Sequence, residues 1–86
     1  MSRTIWKFPF TIADLVTIKM PAGAEVLHVD VQDGQPTLWA LVDPRAPLSP
    51  FRFRIVGTGH EFNTRGLDFC ATFQMPPFVW HVFRVA

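Results

Sequence analysis

The chain has 86 residues, enough for one domain around one core and too few for a catalytic domain joined to a regulatory one. Its formal charge of +1, from 8 Lys and Arg against 7 Asp and Glu, supplies none of the basic field that holds a protein to nucleic acid by counterion release, which argues against direct nucleic-acid binding. The single cysteine excludes the intrachain disulfides of small secreted domains, and no apolar run approaches the roughly 20 residues that cross a bilayer, so a soluble cytoplasmic protein that touches no membrane is expected.

Taken in chain order, short aromatic or β-branched segments alternate with Pro, Gly, Asn and Asp. TIWKFPF (Thr4–Phe10) reads as a first strand, and FTIADLV (Phe10–Val16) is the one stretch that fits a turn of helix. VTIKM (Val16–Met20) is a second strand. VLHVDVQ (Val26–Gln32) alternates Leu27, Val29 and Val31 with Val26, His28 and Asp30, the period of two of a half-buried strand. Asp33-Gly34 follows, a dipeptide that accepts the positive φ required at both centres of a type I′ hairpin turn. PTLWALVD (Pro36–Asp43) is then the return strand. With Gln32 facing Gln35, counting back pairs Val29 with Leu38, Leu27 with Ala40 and His28 with Trp39.

The prolines of DPRAPLSP (Asp43–Pro50) predict an extended loop without regular hydrogen bonding. FRFRIV (Phe51–Val56) is a strand with Phe51, Phe53 and Ile55 inward and Arg52 and Arg54 outward, and Gly57 and Gly59 of the following GTGH provide a turn with positive φ. FCATFQM (Phe69–Met75) and FVWHVFRV (Phe78–Val85) complete the series. The expected fold is all-β: a small antiparallel sandwich or barrel of about six or seven strands, with at most one short helical turn, in a single domain spanning residues 1–86.

Candidate chemistry is sparse. His28, His60 and His81, with Asp30, lack the HxH or HxxxH spacing of a metal site, and Cys70 sits in the apolar context FCATF rather than the electropositive one a nucleophile needs. No cofactor and no enzymatic activity are expected. GTGH lacks the following helix of a phosphate-binding loop. Arg52 and Arg54, alternating onto one face, are able to grip a carboxylate or phosphate, or simply form a solvated face. The aromatic surplus, 9 Phe and 3 Trp, is the stronger signal. Both faces of the Asp33-Gly34 hairpin and of FVWHVFRV carry large apolar groups, more than one small core holds. Trp and Arg are enriched at binding hot spots, and aromatic rings bury large areas. Trp39, His28, Arg52, Arg54, His60 and Trp80 are therefore the candidate partner-binding residues.

Ile5-Trp6-Lys7-Phe8, Met20-Pro21 with Gly23-Ala24, the block LWALVDP (Leu38–Pro44), Arg52 to His60 with its GTGH, and His81-Val82-Phe83 together resemble a family of small uncharacterised proteins of bacterial phages and prophages. The resemblance covers nearly the whole chain and departs at Ala71-Thr72-Phe73, where Gly-Thr-Phe would stand. It implies a mobile-element origin and a small protein that binds and blocks a host complex, such as a CRISPR effector. The alternative is a small-ligand or nucleotide binder with GTGH and the two arginines forming its pocket. A second copy of the chain is a further candidate partner.

Overall fold

The computed structural model describes residues 2–86. Their strands are β1 (Thr4–Pro9), β2 (Leu15–Pro21), β3 (Glu25–Gln32), β4 (Gln35–Val42), β5 (Leu48–Gly57), β6 (Leu67–Met75) and β7 (Phe78–Val85). They form two antiparallel sheets, one of three strands in the order β1-β4-β3 and one of four in the order β2-β5-β7-β6. The sheets do not close into a barrel. The short dimension of the molecule, 16 Å, accommodates two layers at the usual separation of about 10 Å and no third. The fold is a sandwich.

Alternation explains which face of each strand is buried. Val16, Ile18 and Met20 of β2, Phe51, Phe53 and Ile55 of β5 and Val82 of β7 line the inner face of the larger sheet. Leu38, Ala40 and Val42 of β4 and Val29 of β3 line the smaller one. Phe10, from the β1–β2 connection, is buried between them and meets Phe73 edge-on at 6.3 Å. That stretch, expected to turn as a helix, is irregular from Phe10 to Ala13, bends at Asp14 and joins β2 at Leu15; the Phe10 amide donates to Pro36 O and Gln35 Nε2 donates to Phe10 O, which ties the segment to β4.

The Asp33-Gly34 turn forms as its chemistry requires, with φ of 51° and 77°. The pairs Gln32–Gln35, Val29–Leu38 and His28–Trp39 are present, but a bulge between Val26 and His28 pairs Val26, not Leu27, with Ala40. Leu27 is the extra residue and stands 50% exposed. DPRAPLSP is less of a loop than its prolines suggest, because Leu48, Ser49 and Pro50 already pair with β2. Pro50 is tolerated there because β7 first pairs with β5 at Phe53, so no neighbour seeks the missing N–H. Between β4 and β5, Asp43 accepts from the Arg45 amide at 3.0 Å, and that hydrogen bond first, then the Arg45 charge, holds its carboxyl below the ordinary range.

Each exposed strand edge carries a feature that discourages pairing with another chain. Lys7 and Pro9 lie on β1, and Lys19 and Pro21 on β2. Bulges interrupt β3 at Leu27 and β6 at Cys70. These last two strands lie side by side where the sheets meet.

Candidate functional site

Register places the candidate residues in three separate pairs. On the outer face of the smaller sheet, Lys7, Trp39 and His28 form one cross-strand row, and Ile5, Leu41 and Glu25 the next. The His28 and Trp39 rings lie 5.8 Å apart, and His28 Nε2 is 3.4 Å from Asp30 Oδ2. Lys7 Nζ donates to Gln32 Oε1 at 2.9 Å, reaching across β4. Ile5 is 56% exposed.

Arg52 and Arg54 occupy the outer face of the larger sheet. There Leu15, Arg54, Phe83 and Phe69 stand in one row across all four strands, with Thr17, Arg52 and the alternating position Val85 in the adjacent row. Leu15 and Phe69, at the ends of their row, are 55% and 61% exposed. Phe83 is flanked by Phe69 at 5.6 Å and by Phe62, which folds back from the β5–β6 connection, at 5.2 Å. Arg54 Nη1 donates to Asp14 O at 3.1 Å and lies 3.4 Å from Asp14 Oδ1.

His60 and Trp80 meet at the third place, the end of β5. A Cβ at Gly57 would stand 3.4 Å from both the His60 ring and the Trp80 indole, an ordinary van der Waals distance, so the two rings lie on either side of the strand end without glycine being required there. Of the two glycines expected to turn with positive φ, only Gly59 does, at 92°. Gly57, Thr58, His60, Pro77, Phe78, Val79 and Trp80 line a cavity of about 320 Å³. Arg52 and Arg54 do not line it, so the pocket expected from GTGH plus the arginines does not assemble. Beside it, His81 on the outer face is held through both ring nitrogens, by Thr58 Oγ1 at 2.7 Å and Thr72 Oγ1 at 2.9 Å. Among the described residues no group of three His, Cys, Asp or Glu side chains gathers to hold a metal ion.

Cys70 sits in the β6 bulge, half-buried, and burial pushes its thiol above the ordinary value. The group is therefore neutral at neutral pH. Its alkylation by iodoacetamide should be slower than that of a free cysteine and should keep rising at alkaline pH where the free thiol has levelled off. Labelling as fast as free cysteine at neutral pH would contradict the buried setting.

Leu15, Phe62 and Phe69 were not singled out by sequence. Leu15 and Phe69 gain meaning only from the strand order that brings β2 and β6 to opposite ends of one row, which no local pattern encodes. What the fold defines is a small two-layer all-β sandwich with large apolar groups on its outer faces. The family model described as Domain of unknown function (DUF7352) matches residues 1–86, and the chain belongs to that family. No curated protein and no solved structure matches it.

Proposed function

We propose that this chain is a non-enzymatic protein-binding module that acts stoichiometrically, by covering a surface of a larger partner. The observation that carries the reading is the exposure of Ile5, Leu15 and Phe69 on the outer faces of a sandwich whose inner faces already supply a complete core. Blunted edges leave these faces as the means of contact. A host macromolecular complex as partner, with the chain a phage or mobile-element inhibitor of host defence of the anti-CRISPR type, is the finer form of the proposal, supported by the family resemblance. It places the chain in the host cytoplasm.

The test is capture of partners from host lysate with three baits of verified β-sheet content: the natural chain, a Trp39→Glu/Leu41→Glu variant and a Leu15→Glu/Phe69→Glu variant. One protein complex should be retained in fixed stoichiometry by the natural chain and lost from one variant only. Retention by all three baits would overturn the reading, and so would absence of any stoichiometric partner.

The cavity beside GTGH supports a second reading, a small-ligand binder. Thermal shift in the presence of nucleotides decides it, since a ligand that binds only the folded state stabilises it by RT ln(1 + [L]/Kd). A melting temperature unmoved at millimolar nucleotide would leave the cavity without a nucleotide role.

A further inference from the structure

The outer face of the four-stranded sheet carries a charge that its own residues do not balance. Lys19, Arg52 and Arg54 share this face by register, since Thr17 pairs with Arg52, Leu15 with Arg54, and Lys19 lies two residues beyond Thr17. One carboxylate, Asp14, answers them and is committed to Arg54. Lys19 and Arg52 pair with no carboxylate among the described residues. On the opposite sheet Arg3 is paired with Glu25 and His28 lies against Asp30, while Lys7 is held by the Gln32 side-chain amide oxygen.

Apolar groups punctuate the same face. Three inter-strand spacings of about 4.8 Å put Leu15 and Phe69 roughly 14 Å apart, with Arg54 and Phe83 between them. We infer that this face docks against an acidic patch of another protein that also offers apolar pockets for Leu15 and Phe69. The inference rests on the reading of the chain as a protein-binding module and names the chemistry of its partner. Arg54 suits the role because Asp14 fixes its guanidinium before contact, so less side-chain freedom is lost on binding. Arg52 beside it is exposed and answers a carboxylate directly.

Single-stranded nucleic acid fits the face less well. The face holds three cations, one of them committed to Asp14, and the whole chain carries a formal charge of only +1, which supplies little of the field that tracks a phosphate backbone. An anionic membrane fits less well too, because the two exposed apolar groups are separated by an arginine rather than forming one continuous greasy patch.

Backbone amide shifts of the isotope-labelled full chain, recorded by NMR, test the inference with three probes. These are an oligopeptide of alternating Glu and Leu, an oligothymidylate strand, and vesicles of mixed phosphatidylserine and phosphatidylcholine. The peptide should give saturable shifts in β2, β5, β6 and β7 that weaken with added salt. Lys19→Glu/Arg52→Glu should weaken its binding about tenfold, two exposed ion pairs being lost and like charges opposed, and Phe69→Ser should weaken it without altering the spectrum elsewhere. Lys7→Glu on the other sheet should leave it unchanged. Peptide shifts confined to the Trp39 face would overturn the inference and leave the module reading standing. Tighter binding of the oligonucleotide or the vesicles would overturn both. Silence with all three probes would overturn the inference, while the lysate capture still decides the module reading separately.

Discussion

Phe53→Ala should leave the chain largely unfolded at room temperature. Phe53 is 1% exposed, lies between Val16 of β2 and Arg84 of β7 in register, and is the largest fully buried side chain. Truncating such a phenylalanine costs about 3 to 5 kcal/mol. At about 0.05 to 0.15 kcal/mol per residue, an 86-residue domain has roughly 4 to 13 kcal/mol in total, and a small core sits toward the low end. Circular dichroism and urea titration read the outcome. A cooperative transition with a midpoint near that of the natural chain would mean that the sheets do not pack around Phe53 as described.

The two tryptophans of the candidate set should separate just as clearly. Trp80 packs against the core and its indole N–H is buried without a hydrogen-bond partner. Trp39 lies on an outer face against His28, where its removal opens no internal cavity. Trp80→Ala should therefore cost about 3 to 5 kcal/mol, and Trp39→Ala about 1 to 2. Trp80→Phe is the sharper variant. It retains most of the packing and removes a donor whose unsatisfied burial costs about 1 to 3 kcal/mol, so stability should stay near that of the natural chain. Equal losses for the two alanine variants would contradict these placements, as would a Trp80→Phe variant no more stable than Trp80→Ala.

Much of this architecture was legible in local sequence because a two-residue period and a turn dipeptide act over short range. FRFRIV buries Phe51, Phe53 and Ile55 as alternation requires, and Asp33-Gly34 builds the expected turn. Alternation failed where a bulge inserts a residue. Alternation sets Leu27 on the same side as Val29 and Val31, yet the bulge leaves it in solvent, and the Cys70 bulge turns Phe69 outward while Ala71 and Phe73 face inward. A bulge reflects the twist and pairing of the whole sheet, which a single strand does not record. The Phe10–Val16 segment misled for a related reason: its helical spacing is overridden by burial of Phe10 and by its bonds to the β4 end of the hairpin.

Of the candidate site, the residue types were legible and their grouping was not. His28 with Trp39 follows from the hairpin count alone. The separation of that pair from Arg52 and Arg54 follows from membership in different sheets. His60 and Trp80 line one cavity because β5 and β7 pair as Gly57 to Trp80, a contact distant in sequence. Surplus aromatic residues thus announced large apolar groups outside the core without saying which strands would share them.

Docking through the four-stranded sheet requires Leu15 and Phe69 to be dispensable to folding and available for contact. Urea denaturation of the Leu15→Ser/Phe69→Ser double variant tests that most directly. The two side chains are mostly exposed, and the edge-on contact of Phe69 with Phe83 is the main interaction lost. A loss of about 1 kcal/mol or less, with an unchanged slope against denaturant, is predicted. A loss of several kcal/mol, comparable to that of a core phenylalanine, would show that this face is part of what holds the sandwich together and would contradict the docking surface proposed there.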